Sequence, residues 1–505
     1  MRKQAKGLIA LCITLSAMLG CGYAVLELTS EDKGGNTKTT EPSLIATEAV
    51  GKGTVLVSDD SENGVVKSVL VKNSEGEFKA IMKDAPTEDG ESATYTLEGY
   101  EDLKVASSNV AYLANNANGM QADSLIASAC GELGKYGLDK PEIEVEVVYG
   151  SGKTVKFYVG DKAPSNSVNY VRVDGSNDVY AVTASTLDYY SKPINYFIDK
   201  TVLEKPADEN YPIVNSLRIE RGDMDEDILI EYDKDSEKAH SGGTSAAHKM
   251  IKPIESYLAI ENSNEITNGM FGLAASDIYV LNCKEADIAG AGLSEPFCKV
   301  TMDCDDGNKY VLLLSESFTD DSGNKCCYGM LEGGKVIYIL SVDSAKWLTV
   351  QPIDIVSRLL ITSYVWNIPR LAASGGGESV EFIIEPKDKD NIPENPTSDD
   401  SVVHMNGKDF DSERYRLFYS FLSSTNAEEF AIGKPVPDGE PLAVIEYTDS
   451  FSGKDMKYEF YDDSVMRALI VVNGESKYYC TKSYVNTLIE NIKRIGTGED
   501  YITNW

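Results

Sequence analysis

One short motif occurs twice in the chain, and each copy precedes the same pattern of strands. Residues 137–141 (GLDKP) are followed by alternating apolar residues over 143–147, a Gly-Ser-Gly turn and a second alternating run. Residues 292–296 (GLSEP) are followed by the same arrangement, with an Asp-Asp-Gly turn in the middle. The two copies lie much farther apart than the roughly 20–50 residues of a solenoid repeat. The sequence therefore predicts a duplicated domain.

The motif has a structural explanation in its three defining residue types. Glycine tolerates a positive backbone angle where a helix ends, and leucine packs back onto the core. Proline stops the helix and starts an extended strand. We therefore expect a structural role, without chemistry, for six residues: Gly137, Leu138, Pro141, Gly292, Leu293 and Pro296.

After the N-terminal segment, the same order of predicted elements occurs three times. Each unit begins with short strands, continues with a helix, and ends with more strands and a second helix. The first helices of the first two units are predicted over 103–133 and 254–274. The third unit is divergent, because residues 439–441 (GEP) keep only part of the motif. The predicted fold class is α+β, with tandem repeats of a helix plus short antiparallel β-strands preceded by one transmembrane helix. The predicted units are 51–205, 206–370 and 371–505.

The N-terminus predicts that the chain is anchored in the cell membrane, which the family resemblance described below places in bacteria. Three basic residues precede an uncharged stretch, residues 7–26, which at about 1.5 Å per residue spans the roughly 30 Å of a bilayer core. Basic residues stay on the cytoplasmic side, so the C-terminal region is expected outside the cytoplasm. We interpret residues 1–28 as a single-pass signal anchor and residues 29–50 as a flexible linker. A lipoprotein anchored at Cys21 is the alternative.

The net charge restricts the class of partner. The chain has 81 acidic against 47 basic residues, which gives a formal net charge of −34. Such a surface repels phosphate backbones, so nucleic acids and anionic lipid headgroups are poor partners. Cations and basic proteins remain compatible with it.

Residues 136–180 combine the motif with a Gly-Lys turn, a strand ending in Val-Gly-Asp, and the strands Tyr-Val-Arg-Val and Val-Tyr. In this combination the sequence resembles the bacterial DUF4340 family. The resemblance is close over about 60–205, fair over 210–365 and weak over 375–497. It implies a membrane-anchored extracytoplasmic protein of unknown biochemical function. It also implies a connection with ABC-type transport or gliding-motility systems, and it supplies no catalytic residues.

A reactive site is not predicted. Nucleophilic catalysis needs a base that is oriented by a third group beside the nucleophile, and no Gly-x-Ser-x-Gly elbow occurs. His240 and His248 lie in a polar loop and would be weak metal ligands, and His404 lies alone. Asp-rich turns are explained by turn chemistry, with weak calcium binding as the alternative. We predict no catalytic, cofactor-binding or metal-ligating residue, and no cofactor.

Four of the nine cysteines, all in the second unit, are candidate disulfide partners: Cys298, Cys304, Cys326 and Cys327. Either of the first two would pair with one of the last two on a neighbouring strand. Buried free thiols and a metal site are the alternatives.

Several of the 29 tyrosines cluster near the ends of the predicted units. Exposed tyrosines beside acidic residues would form a contact surface for a glycan or a peptide. Half-buried strand positions are the simpler interpretation. The clustered residues are Tyr189, Tyr190, Tyr196, Tyr478, Tyr479 and Tyr484.

Together these features predict a non-enzymatic, membrane-anchored binding or scaffolding protein of the cell envelope. Its partner would be an envelope protein, and the resemblance adds an association with an ABC-type transport system. The alternative is an envelope glycan or peptide hydrolase with acidic residues at an interdomain cleft.

Overall fold

The structure, a computed structural model, describes residues 51–57, 60–87, 92–164, 166–207, 210–236, 245–393, 396–450 and 452–505. Predicted features outside these residues are the signal anchor 1–28 with the alternative lipid anchor at Cys21, the linker 29–50, and His240. Within the described part of the chain, no helix combines the length and apolar composition that a membrane crossing requires.

The described chain is mostly antiparallel β-sheet, so the predicted α+β class is wrong. Residues 103–133, predicted as one helix, are helical only over Ser107–Ala117, and a strand follows at Ser124–Ala127. Residues 254–274 contain the short helix Ile260–Thr267 after another strand. The error has a physical reason, because short apolar runs do not distinguish a buried strand from a buried helix.

The chain divides into two compact units. The smaller contains Gly119–Glu142 and Val155–Leu187, together with the described residues before Asp60. The larger contains Asp60–Asn118, Ile143–Thr154 and Asp188–Trp505. The boundaries predicted from the sequence, 51–205, 206–370 and 371–505, stay a prediction.

Strands β1 to β8 form the first of three large sheets. In the larger unit they follow the order β3-β2-β1-β5, and in the smaller unit the order β6-β7-β8-β4. Neighbouring strands within each unit are antiparallel, and Val69 on β1 lies opposite Val147 on β5. The strands are β1 (Val66–Asn73), β2 (Gly76–Asp84), β3 (Thr94–Leu97), β4 (Ser124–Ala127), β5 (Ile143–Tyr149), β6 (Thr154–Lys162), β7 (Val168–Val173) and β8 (Val179–Thr183).

The second sheet lies in the larger unit. Its order is β12-β11-β10-β9-β14-β15-β17-β18-β13, and β16 pairs with β17. The strands are β9 (Val214–Arg221), β10 (Ile228–Tyr232), β11 (Ser245–Lys252), β12 (Ser256–Ala259), β13 (Asp277–Leu281), β14 (Cys298–Cys304), β15 (Lys309–Leu314), β16 (Phe318–Thr319), β17 (Lys325–Leu331) and β18 (Val336–Ser341).

The third sheet also lies in the larger unit. Its order is β22-β21-β20-β19-β24-β25-β26-β27-β23. The strands are β19 (Arg370–Gly375), β20 (Glu378–Pro386), β21 (Ser401–Met405), β22 (Lys408–Phe410), β23 (Glu429–Phe430), β24 (Ala443–Asp449), β25 (Lys454–Asp462), β26 (Arg467–Val472) and β27 (Glu475–Thr481).

The three sheets share one pattern of connections. A first group of strands runs in reverse chain order towards one edge, and a second group runs in chain order towards the other edge. The strand between the two groups in sequence lies beyond the last strand of the second group: β4 beside β8, β13 beside β18, and β23 beside β27. The GLxxP motif follows β4 and β13, where the chain returns from the edge of the sheet to begin the second group.

The helices are few and short, except for two in the last third of the chain. The N-cap of the helix Ser412–Ser423 is Asp411, whose carboxylate accepts a hydrogen bond of 2.6 Å from the Arg414 amide. The described α-helices are α1 (Asp60–Asn63), α2 (Ser107–Ala117), α3 (Ala184–Leu187), α4 (Ile260–Thr267), α5 (Glu285–Gly290), α6 (Pro352–Ile355), α7 (Ser412–Ser423) and α8 (Lys482–Thr497).

Alternation along the strands places the cores. On β5 every second residue from Ile143 to Tyr149 is buried, and β14 and β24 show the same period of two. In the third sheet the buried strand faces pack against one side of α7 and one side of α8. Phe418 of α7 and Leu488 of α8 belong to this core. In the second sheet the indole of Trp347 is buried, and its Nε1 donates to the Ile266 carbonyl at 3.0 Å.

The two copies of the motif have the same local geometry. Gly137 and Gly292 both adopt positive φ angles, 68° and 70°. Leu138 and Leu293, which follow them, are each 1 % exposed. The glycines thus end short helical turns, and the leucines bury their side chains next to them.

Candidate functional site

A cluster of three tyrosines on the larger unit is the most prominent aromatic surface among the predicted site residues. Tyr196 is 37 % exposed, Tyr189 is half-buried, and Tyr112 joins them with an exposure of 44 %. We call Tyr112, Tyr189 and Tyr196 the tyrosine patch. The other clustered tyrosines of the sequence, which are buried, are Tyr190, Tyr478, Tyr479 and Tyr484.

The rings of the patch contact one another in series. The centroids of Tyr112 and Tyr189 lie 4.7 Å apart at an interplanar angle of 32°. Those of Tyr189 and Tyr196 lie 5.9 Å apart in an edge-on arrangement of 67°. Both separations fall in the range of favourable aromatic pairs. The patch is therefore a connected aromatic surface and not a set of isolated side chains.

Hydrogen bonds from side chains to main-chain carbonyls fix the backbone beneath the patch. The Tyr190 hydroxyl donates to the Leu113 carbonyl of α2 at 2.8 Å. The side-chain amide of Asn73 donates to the carbonyls of Tyr190 and Lys192, at 2.8 and 3.0 Å. That of Asn109 donates to the Tyr196 carbonyl at 3.1 Å. These contacts hold the segment that carries Tyr189 and Tyr196 against α2, so the rings are presented on a fixed support.

One lysine borders the patch. Lys192 Nζ lies 5.6 Å from the ring centroid of Tyr196 and 2.9 Å from the Asp188 carboxylate. Partial burial raises the pKa of Tyr189, and the neighbouring hydroxyls of Tyr196 and Tyr112 raise it further. Tyr189 therefore presents a neutral hydroxyl and an aromatic face near neutral pH, beside a lysine and an aspartate.

The described histidines lie apart and are held by their own neighbours. His248 is on β11, where its Nε2 lies 2.8 Å from the Val214 carbonyl and its ring packs edge-on against Tyr232. His404 is on β21, with Nδ1 3.0 Å from the Asp409 carboxylate. Among the residues that the structure describes, no group of three or more His, Cys, Asp or Glu side chains is arranged to hold a metal ion.

The acidic turns use their carboxylates to close the turns themselves. Asp306 Oδ1 accepts from the Asn308 amide at 2.9 Å, within the turn between β14 and β15. Asp320 Oδ1 accepts from the amides of Ser322 and Asn324 at 2.9 and 2.7 Å. These oxygens therefore satisfy backbone donors in tight turns.

The four candidate disulfide cysteines are free and buried. Cys298 and Cys304 are on β14, whereas Cys326 and Cys327 are on β17, and β15 lies between the two strands. The predicted pairing across neighbouring strands is therefore not the arrangement in the structure. Burial raises the pKa of Cys298 and of Cys327 to about 12 each, which keeps both thiols protonated and unreactive.

Sequence reasoning missed Tyr112 as a member of the patch. The signal was present, because α2 buries Val110, Leu113 and Ala114 and leaves Tyr112 off that face. Its proximity to Tyr189 could not be predicted, since it depends on how the segment after Leu187 packs against α2.

The comparison with known proteins gives a family and nothing further. No curated protein and no solved structure matches the chain. Residues 96–296 match the family model described as "Domain of unknown function (DUF4340)". The matched stretch contains both copies of the GLxxP motif and all three residues of the tyrosine patch. The chain is a DUF4340 domain-containing protein.

Proposed function

We propose that the chain is a membrane-anchored, extracytoplasmic binding or scaffolding protein of the cell envelope, and that it works in association with an ABC-type transport system. The tyrosine patch is the observation that carries the binding role. Solvent-exposed tyrosines are enriched at protein interfaces because each offers a broad apolar face and a hydrogen-bonding tip at a small cost in side-chain entropy.

The charge of the chain favours a basic partner protein. The net charge of −34 attracts positively charged surfaces, and aromatic faces bind the ammonium and guanidinium groups of such surfaces. We therefore propose that the patch binds lysine- or arginine-bearing segments of an envelope protein. The hydrogen bonds beneath the patch support this role, because a preorganised surface loses little entropy on binding.

The test uses the full-length protein in its membrane. Tyr112→Ser combined with Tyr196→Ser removes two exposed rings and leaves the buried support intact. Cross-linking in intact cells, followed by purification and mass spectrometry, should recover a basic envelope protein with the wild type and much less of it with the double variant. The matched control is Tyr279→Ser, since Tyr279 is 45 % exposed and lies outside the patch.

Two results would contradict the partner assignment. Equal recovery of the same protein with the double variant would remove the patch from the interface. Retention on purified cell-wall glycan that disappears in the double variant would identify a glycan ligand in place of a protein. Turnover of a glycan or peptide by the wild type would favour the hydrolase alternative.

The proposed location has its own test. Protease added to intact cells should digest the region after residue 28, and complete protection would contradict an extracytoplasmic position. A lipid label that is lost in Cys21→Ser would replace the signal anchor with the lipoprotein alternative.

A further inference from the structure

The larger unit contains a small cavity between the second and third sheets. One wall is the edge strand β12 with Ser256 and Tyr257, and the opposite wall is formed by strands β25 to β27. The chain segment 357–362, which lies between the two sheets in sequence, forms a further part of the lining. The cavity has a volume of about 190 Å³. Its remaining lining residues are Ser357, Leu359, Leu360, Thr362, Met456, Tyr458, Val472, Lys477 and Tyr478.

Hydrogen bonds fix the tyrosines that line this cavity. The Tyr458 hydroxyl donates to the Leu360 carbonyl at 2.6 Å, and the Tyr257 hydroxyl donates to the Asp233 carboxylate at 2.6 Å. The Tyr478 hydroxyl donates to Ser256 Oγ at 3.4 Å. Because these hydroxyls are engaged in hydrogen bonds, the tyrosine side chains are held in place and the cavity is preformed. Its lining combines ring and aliphatic carbons with a comparable polar surface.

Lys477 is the only charged residue among the described residues that line the cavity. Its side chain is 25 % exposed, and its ammonium lies 3.8 Å from the highly exposed Glu475 carboxylate, which is a weak ion pair. Two further carboxylates on this side of the sheet already have partners, since Glu255 pairs with Lys249 and Asp233 accepts from Tyr257. A lysine in the lining of this cavity stands out on a chain whose net charge is −34.

Further positive charge surrounds the same opening. The pKa of Glu255 is lowered by its hydrogen bond from Lys249 and, in addition, by the charges of Lys477 and Lys454. Three lysines therefore lie close to one glutamate at this side of the cavity. The lining also contains the hydroxyl groups of Ser357 and Thr362, which can contact a polar ligand group.

We propose that this cavity is a binding site for a small aromatic carboxylate. The ring lies among Tyr458, Tyr478 and Met456, and the carboxylate pairs with Lys477. The size is appropriate, because an apolar cavity of roughly 150 Å³ accommodates benzene. The sparse polar groups of an otherwise apolar pocket determine the orientation of a ligand. The site shares no residue with the tyrosine patch and does not depend on the proposed partner.

The test uses three probes of nearly the same shape that differ in charge: benzoate, benzamide and benzamidine. Binding to the purified full-length protein is measured by saturation-transfer NMR and calorimetric titration. Benzoate should bind saturably at one site per chain, benzamide about tenfold more weakly, and benzamidine not at all. Equal affinity for all three probes, or no binding of benzoate, would overturn the proposal.

Variants locate the binding. Lys477→Gln should weaken benzoate about tenfold and leave the affinity for benzamide unchanged. The matched control is Lys457→Gln, since Lys457 is on β25 between Met456 and Tyr458 but pairs with Glu459 and does not line the cavity. Leu359→Trp adds bulk at a residue that is 38 % exposed at the cavity, so it should block both probes without disturbing the core. Unchanged benzoate binding in Lys477→Gln and Leu359→Trp would contradict the assignment.

Discussion

The hydroxyl of Tyr190 donates a hydrogen bond of 2.8 Å to the main-chain carbonyl of Leu113. Both residues are fully buried, so this bond joins α2 to the segment that carries Tyr189 and Tyr196. The Tyr190→Phe variant should lower the free energy of unfolding by about 1 kcal/mol, because the buried carbonyl loses a partner. Denaturant unfolding followed by circular dichroism measures the change.

The control for that variant is Tyr112→Phe, which removes a hydroxyl from a ring that is 44 % exposed. It should change stability by less than about 0.5 kcal/mol, as is usual for surface substitutions. Equal effects of the two variants would show that the Tyr190 bond contributes nothing to stability.

The two motif glycines should differ in their tolerance of a side chain. A Cβ atom at Gly137 would lie 2.9 Å from the Asp161 main-chain nitrogen, whereas at Gly292 the nearest atom is Ser315 Cβ at 3.9 Å. Both positions have a positive φ, which costs an alanine about 1 kcal/mol. Gly292→Ala should therefore lower the free energy of unfolding by about 1 kcal/mol, and Gly137→Ala should lower it by at least about 2 kcal/mol. Denaturant unfolding followed by circular dichroism measures both changes. A larger loss at Gly292 would contradict this packing.

The buried cysteines should be free thiols that react only after unfolding. With a pKa of about 12, Cys298 and Cys327 are almost entirely protonated at pH 8. Iodoacetamide applied without a reductant should label both in denatured protein and neither in native protein, as read by mass spectrometry. The half-buried Cys130 serves as an internal reference for native labelling. Labelling that requires prior reduction would demonstrate a disulfide.

His248 should make the folded state less stable in mild acid. Burial lowers its pKa below the usual value of 6.5, against the smaller opposing effect of its bond to the Val214 carbonyl. The unfolded chain therefore binds this proton more readily than the folded chain. The stability it confers is complete above about pH 6.5 and is lost as the pH falls through the lower folded-state pKa.

The unfolding free energy should thus decrease as the pH falls from 7.5 to 5.5. The decrease should be smaller in His248→Gln, because the glutamine side chain keeps an amide donor but does not titrate. NMR titration of the His248 ring gives the folded-state pKa directly. A midpoint above 6.5, or the same pH slope in the variant, would refute this assignment.

Local sequence signals were sufficient to predict the conformation of the motif and the positions of individual strands. The alternation from Ile143 to Tyr149 predicted β5, and the glycine of GLDKP adopts the positive φ expected where a helical turn ends. The fold class was wrong because the segment 103–133 contains apolar residues at spacings that suit either a helix or short strands. Only the tertiary pairing of β4 with β8 settles that choice.

Features that depend on strand order could not be predicted. The pairing of Cys298 with a cysteine of β17 assumed that their strands are neighbours, and β15 separates them. Tyr112 and Tyr189 are far apart in sequence and meet only through packing around Tyr190. The cavity near Lys477 likewise depends on how two sheets meet, which no periodicity in one segment reveals.

The position of β4, β13 and β23 has a consequence for synthesis on the ribosome. Each of these strands emerges before the second group of its sheet, yet its hydrogen-bonding neighbour is the last strand of that group. The backbone N–H and C=O groups on its pairing edge therefore have no strand partner while the intervening strands are translated. Pairing between strands that are far apart in sequence also slows folding. Each sheet is thus completed only when its final strand emerges, so nascent chains halted before β8, β18 or β27 expose an open edge to chaperones or to aggregation.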